Sequence, residues 1–483
     1  MTLSRSYEAN VVFLDTHLRV DESFDLIHRR LTVGSDEMTL YYIDGFVKDD
    51  TMQKLMQYFI GLTAIGRGEG AARAFADGHI PYVEVDVTQD VETMTTAVLS
   101  GAVLMVATGF GRDAVIIDAR TYPARMTEEP DSDRVMQGAH DGFVETLIFN
   151  TALIRRRIRD TRLTMHYINM GGSSRTDVIV AYVEGVANEK LVSRVKEKLS
   201  SVTPASLTLG TQSLSEALIR KRWYNPFPKI RTLERPDAAA AELLEGRVLV
   251  LCDTSPQVIV LPTSIFDFMQ ETDDYYFPPI TGTYLRLVRH FVTLLSLVLT
   301  PFWYLVTMYP ERLPPALLFL IPDETALPLI LQLFLAELAI DGLKLASMNT
   351  PSMLNNSLSV IGGLILGEFA VGIGWMSEDV IFYMAVVTIA GFSQQSYELT
   401  YAFKFMRVIL LALTATLGLY GFIGGLLLVL LLVATNTTLD GKRRYLYPVI
   451  PFNGRALLRL VFRLPKNDIR KNVKKIDKTQ NRN

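Results

Sequence analysis

FVTLLSLVLTPFWYLVTMY, residues 291–309, decides the architecture. Its 19 residues include no charge, and as a helix they reach about 28 Å, close to the hydrocarbon thickness of a bilayer. Pro301 falls mid-span, where neighbouring helices can satisfy the carbonyl it frees. Just upstream, Arg286 and Arg289 share one helical face. With Tyr284 they read as membrane-interface anchors, the arginines reaching for lipid phosphates on the cytoplasmic side. Tyr275, Tyr276 and Phe277 extend an aromatic belt.

Toward the C-terminus, further apolar segments occur at about 326–346, 357–376, 380–396 and 408–434. LPPALLFLIP (313–322) is too short to cross and reads as re-entrant. Ser377, Glu378 and Asp379 mark a helix start, a cap followed by acids in the first turn. The last segment is uncharged from Val408 past Val433; Gly418, Gly421, Gly424 and Gly425 either break it or admit a close neighbour. Lys404 and Arg407 favour the cytoplasm, and so does the tail carrying Lys466, Arg470, Lys471, Lys474, Lys475 and Lys478. They flank one apparent span. The tail is the larger cluster, so both termini are expected inside, with an even number of spans and one apolar segment re-entrant or interfacial.

Toward the N-terminus the composition changes, with charges at ordinary density up to about residue 283. LYYIDGFVKDDTMQKLMQYF (40–59) lies on VAYVEGVANEKLVSRVKEKL (180–199) without a gap. Each reads as a strand, an acid–Gly turn and an amphipathic helix, with Met52, Leu55, Met56 and Phe59 buried in one and Leu191, Val192, Val195 and Leu199 in the other. LSGAVLMVATGFGRDAVIIDA (99–119) resembles LEGRVLVLCDTSPQVIVLPTS (244–264), and both have a hairpin signature. The expected fold is an α/β soluble N-terminal region with two related subdomains, followed by an all-α polytopic membrane domain. The expected parts are an N-terminal helical segment (1–34), α/β subdomain 1 (35–141), a linking helix (142–160) and α/β subdomain 2 (161–283). A transmembrane helical domain (284–440) and a basic cytoplasmic tail (441–483) complete the chain.

The whole chain is 49% hydrophobic and 20% charged with net charge −3, and so offers no basic face for nucleic acid. One cysteine, Cys252, excludes an internal disulfide; in VLVLCD it reads as a core residue. The opening MTLSRSYEAN has no apolar h-region, which leaves the soluble part expected in the cytoplasm. His17, His28, His79, His140, His166 and His290 have no metal-ligand spacing, and there is no phosphate-cradling or nucleophile-elbow motif. No enzyme, cofactor or metal is expected.

Three polar groups stand out. Arg155, Arg156 and Arg157 are candidates for subunit or lipid contact, against the plainer reading of a solvated helix end. Glu337, Asp341 and Lys344 fall on one face of an apolar helix, and Glu368 interrupts GGLILGEFAVGIG. Charges in hydrocarbon cost about 2.5–3.5 kcal/mol on insertion scales, so they face protein or water. These four residues are the candidates for an ion pathway, against a local Asp341–Lys344 pair that merely snorkels.

GFVETLIFNTALIRRRIRD (142–160), YVEGVANEKLV (182–192), NPFPKIRTLERPDAAAAELLEGRVLVLCDTSPQVIVLPTS (225–264) and QETDDYYFPP (270–279) together resemble the GerA/SpoVAF family of bacterial spore germination proteins. The likeness runs from about Thr39 to Arg463; YYIDGFVKDD (41–50) lies nearer the SpoVAF branch than the A subunits of nutrient receptors. The resemblance implies a multi-pass protein of the spore inner membrane, with its soluble region facing the spore core. It implies a homo-oligomeric channel for monovalent cations, working with other membrane germination subunits to amplify the germination signal. It supplies no catalytic residues. A nutrient-binding A subunit and a membrane scaffold without transport are the alternatives.

Overall fold

The computed structural model describes all residues except 1, 122–128, 131–132, 136, 202–206, 220–222, 272–273, 275, 350–359, 361, 440–444 and 464–483, and the side chains of 365 and 366. Tyr275 and the basic tail from Lys466 onward therefore lie outside the described residues. The chain divides into two compact units: Met1–Lys221 with Ile230–Thr263, and Arg222–Lys229 with Ser264–Asn483.

The first unit is built twice from one nine-element order. The first half runs α1 (Tyr7–Leu18), β1 (Leu26–Val33), β2 (Asp36–Ile43), α2 (Asp49–Ile60), α3 (Ala71–His79), β3 (Val85–Thr88), α4 (Val91–Leu99), β4 (Val103–Ala107) and β5 (Ala114–Ile117). The second half repeats it as α5 (Leu147–Arg157), β6 (Leu163–Met170), β7 (Thr176–Val183), α6 (Glu189–Ser201), α7 (Thr211–Leu218), β8 (Arg231–Leu233), α8 (Pro236–Leu244), β9 (Val248–Cys252) and β10 (Val258–Leu261). The sheets have matching orders, β1-β2-β4-β5-β3 and β6-β7-β9-β10-β8, and every pairing is antiparallel.

The stretches read as an N-terminal helical segment and a linking helix thus play the same part: α1 and α5 each open a repeat. β1 lies within 1–34 and belongs to the first sheet, and Ser264 onward groups with the helical unit.

Strand alternation explains why both faces of the first sheet are covered. Val103, Met105 and Ala107 of β4 join Met52, Leu55, Phe59 and Phe75 of α2 and α3 on one side. Leu104 and Val106 join Val11, Leu14, Met94 and Val98 of α1 and α4 on the other. Gly101 and Gly246, which precede β4 and β9, take positive φ values of 98° and 91°, a region that favours glycine. A Cβ there would meet the Phe46 ring at 2.7 Å or the Val186 carbonyl oxygen at 2.8 Å. The same turn is therefore held against the same place in both halves. Cys252 is buried at the end of β9, and burial pushes its thiol up to about 12.

The second unit is helical: α9 (Pro279–Thr307), α10 (Leu329–Asn349), a helical stretch Gly362–Gly372 containing a π-turn at Ile365–Phe369, α11 (Glu378–Phe392), α12 (Tyr397–Ala434) and α13 (Gly454–Val461). Two helices, α9 and α12, are long and apolar enough to cross a membrane. LPPALLFLIP forms a short 3-10 turn, held by Trp303 Nε1 donating to the Leu320 carbonyl at 2.8 Å.

α12 is folded back on itself. Gly418 takes φ 57° and ψ −132° inside it. A Cβ on Gly421 would lie 1.9 Å from the Leu413 carbonyl oxygen, and one on Gly425 2.4 Å from the Leu410 side chain. Eight residues of straight helix span about 12 Å, so neither approach exists without reversal. Leu399, Ala402 and Met406 accordingly share a cluster with Val429, Leu432 and Val433. Residues 397–417 and 419–434 are the two arms of a helical hairpin.

The reversal fixes the path through the unit. α9 and the first arm run side by side toward the tip, where a Cβ on Gly418 would meet the Tyr309 hydroxyl at 2.7 Å. α10 descends along the first arm, Leu333 clustering with Leu411 near the tip and Glu337 meeting Arg407 below. Residues 362–372 rise from Leu343, and α11 descends from Met376 beside Leu333 to Gln394, which bonds Thr293 of α9. The second arm then returns to the base. Among the described residues, the last apolar stretch therefore makes two passes through the unit, one per arm. By composition alone that stretch reads as one segment. Lys404, Arg407 and the residues after 434 no longer flank a single traverse.

Candidate functional site: a charge network inside the helical bundle

Arg407 stands ten residues into the first arm and eleven before Gly418, about 15 Å from either end at the helical rise. Apart from Lys404, its neighbours on the arm are apolar, which would leave a guanidinium there without water. It is met instead by α10. Glu337 Oε1 accepts from Arg407 Nε at 2.7 Å and lies 2.6 Å from Nη2. Arg407 Nη1 donates to the Ser296 carbonyl of α9 at 2.6 Å. One turn toward the base, Lys404 Nζ lies 3.2 Å from Glu337 Oε2 and also pairs with Asp341. Glu337 and Arg407 are both buried. Lys344 completes the group, its Nζ 4.5 Å above the Phe392 ring and 5.8 Å from the centre of Tyr401, a cation–π setting.

The spacing explains the match. Glu337 and Asp341 are four apart on α10, Lys404 and Arg407 three apart on the first arm, and each pair faces one way. The helices run antiparallel, so 337 meets 407 and 341 meets 404. Two carboxylates and two cations cancel. Glu337 is therefore no bare carboxylate awaiting a passing cation, and Asp341 pairs with Lys404 in place of Lys344. Sequence reasoning missed Lys404 and Arg407 by giving them to the cytoplasm. The available signal was two pairs of opposite charge, each at one-turn spacing, in two apolar segments.

Glu368 lies elsewhere. It is exposed on the π-turn and has no ion-pair partner among the described residues. A Cβ on Gly363 or Gly367 would meet nothing within 4 Å, so this face of the helical stretch is open.

The remaining candidates divide. Arg286 and Arg289 are buried on α9, where Asp274 takes both: Arg286 Nε donates to Oδ2 at 2.9 Å and Arg289 Nη1 to Oδ2 at 3.1 Å. Arg289 also pairs with Glu271. These arginines satisfy acids of the preceding loop and are not free for lipid phosphate; Tyr284 is exposed. In the first unit Arg155 is wholly buried. Its Nε donates to Asp25 Oδ2 at 2.7 Å, and its Nη2 to Asp25 Oδ1, Ser23 Oγ and the Leu163 carbonyl. It therefore joins the two repeats and is not available to a subunit or a lipid. Arg157 makes a paired contact with Asp141 at 2.6 and 2.7 Å, and Arg156 alone of the three is exposed. Among the described residues no cluster of three or more His, Cys, Asp or Glu side chains could hold a metal ion.

The chain thus combines a duplicated α/β unit with a helical unit that has two helices long and apolar enough to cross a membrane and an internal ion-pair network. The family model for the Bacillus/Clostridium GerA spore germination protein matches residues 15–475, and the chain belongs to that family. Stage V sporulation protein AF of Bacillus subtilis (strain 168) is 35% identical, the alignment covering 96% of this chain and 93% of that protein. Spore germination protein KA of the same organism is 26% identical over 96% of this chain and 85% of its own length. A crystal structure of the N-terminal domain of the A subunit of the Bacillus megaterium spore germinant receptor GerK3 aligns with a TM-score of 0.41 and 22% identity. It covers 54% of this chain and 96% of that one.

Proposed function

We propose that this chain is a multi-pass subunit of the spore inner membrane that assembles with copies of itself and releases monovalent cations during germination, amplifying the signal as expected of a SpoVAF-like protein. Its α/β unit and C-terminal segment lie on the spore-core side, and other membrane germination subunits are its partners. The observation that carries the reading is the charge network at mid-height of an apolar bundle. Charges so placed are costly and are kept where a pathway or a moving element needs them. Glu337, Asp341, Lys404 and Arg407 hold α9, α10 and the first arm of α12 in one arrangement. Glu368, exposed beside Gly363 and Gly367, is the carboxylate a neighbouring copy could bring into a ring, and such a ring attracts cations.

The test is rubidium or potassium flux through purified protein in liposomes. Glu368→Gln should lower the flux with oligomer size unchanged. Absence of flux from intact wild-type oligomers would favour a scaffold, and flux only with a nutrient present would favour a receptor A subunit.

A further inference from the structure

The segment after the hairpin carries a surface that the charge network and Glu368 do not use. Tyr445 anchors its start: buried, it donates through its hydroxyl to the Pro228 carbonyl at 2.6 Å. α13 is capped by Asn453, whose side chain accepts from the Ala456 amide at 3.2 Å. Its end is tied to the base of α9, with Arg286 Nη1 donating to the Arg459 carbonyl at 3.0 Å and the Arg463 amide donating to Thr283 Oγ1 at 3.1 Å. Leu460 turns inward.

The opposite face has a definite pattern. Arg455, Leu458, Arg459 and Phe462 recur at helical spacing and are all exposed, and the preceding turn adds Ile450 and Phe452, the latter 76% exposed. Neither Arg455 nor Arg459 has an ion-pair partner among the described residues. Large apolar side chains interleaved with arginines are a poor surface toward water. They suit the boundary between acyl chains and headgroups, where a helix lies flat and its cations meet phosphate. The placement agrees: α13 is tied to the base of α9, whose exposed Ile280, Tyr284 and Phe291 form an apolar face of a candidate span.

We propose that residues 447–462 form a bilayer-interface element, in which Phe452, Leu458 and Phe462 enter the acyl boundary and Arg455 and Arg459 hold the phosphates of acidic phospholipids. The proposal rests on the bundle being membrane-embedded. An environment-sensitive fluorophore on the full chain with Cys252→Ser tests it, placed by Leu458→Cys or, as a bundle control, by Leu427→Cys on the second arm. The protein is held in nanodiscs of phosphatidylcholine with or without phosphatidylglycerol, doped with lipids spin-labelled at the headgroup or mid-chain.

The Leu458 probe should be quenched at least twofold more by the headgroup label than by the mid-chain label, and the Leu427 probe the reverse. Arg455→Glu with Arg459→Glu should halve the Leu458 signal in phosphatidylglycerol discs and leave Leu427 unchanged. Lipid quenching at Leu427 with only aqueous iodide quenching at Leu458 overturns the proposal. So does shielding of Leu458 from both lipid and iodide, which would mean a protein covers it, and so does indifference to phosphatidylglycerol. Absence of lipid quenching at Leu427 would overturn the membrane reading itself, and the proposal with it.

Discussion

Glu337 accepts both Arg407 Nε and Nη2 on a single carboxylate oxygen, Oε1, and turns Oε2 to Lys404. Glu337 is the shared partner of both cations, and Arg407 has only the Ser296 carbonyl besides it among the contacts described. Removing one member of a buried pair strands the other, at about 3–5 kcal/mol, whereas replacing both with apolar residues of similar size is often neutral. Arg407→Met alone should sharply lower the thermal midpoint of the detergent-solubilised protein. Adding Glu337→Leu should recover part of the loss. A double variant no more stable than the worse single variant would argue that the two groups are not coupled.

Arg155 and Asp25 form the equivalent pair in the α/β unit, one from the first helix of the second repeat and one from the loop before β1. Ser23 lies between them, bonding Asp25 and accepting from the Met165 amide. Arg155→Met should destabilise this junction by about 3–5 kcal/mol. Hydrogen exchange is the readout: the Phe24 and Met165 amides should lose protection, while the β9–β10 hairpin should change less.

The hairpin in α12 predicts opposite outcomes for two glycines three residues apart. Gly421→Ala places a methyl against the Leu413 carbonyl, and overpacking of this kind costs about 1–3 kcal/mol. Gly424 faces open space, so Gly424→Ala should be neutral, or stabilising by up to about 1 kcal/mol through helix propensity. Thermal midpoints of the two variants check this. Paired cysteines at Met406 and Val429 should crosslink within one chain.

Cys252 should be nearly inert in the folded chain. Its thiol is pushed up to about 12 by burial and by Asp253 beside it, whereas an unfolded thiol titrates near 8.5. Between those values the unfolded state binds fewer protons than the folded state, so stability falls as pH rises, at about 1.4 kcal/mol per unit. Below about pH 8 the contribution is flat. Alkylation at pH 8 should be at least ~100-fold slower in the folded than in the urea-unfolded chain. Cys252→Ala should flatten the alkaline decline.

The α/β repeat was legible because two kinds of signal agreed. The acid–Gly turns at Asp44–Gly45 and Glu184–Gly185 marked register, and the period-2 and 3.6-residue patterns on either side marked element type. What escaped was the role of the flanking helices. α1 and α5 share no turn signature, and their equivalence rests on the matching strand orders of the two sheets. In the helical unit the glycines at 418, 421, 424 and 425 were visible, but composition alone does not separate a kink from a reversal. That depends on the positive φ of Gly418 and on which side chains the arms can bury against each other. The same limit hid the partners of Glu337. Charge pairing across helices is a tertiary fact, and a rule that assigns lone cations to the cytoplasm works against finding it. Asp274 and Glu271 stand in QETDDYYFPP, yet their hold on Arg286 and Arg289 needs the loop to fold back onto α9.

The reversal at Gly418 also bears on how the chain is made. In a bilayer, a hairpin of two apolar arms can enter as a unit during synthesis, with neither flank having to pass through. The lysines and arginines that follow it would then stay on the side where the ribosome released them. Only the cations of the first arm, Lys404 and Arg407, would enter with it, and the carboxylates of α10 would be there to receive them.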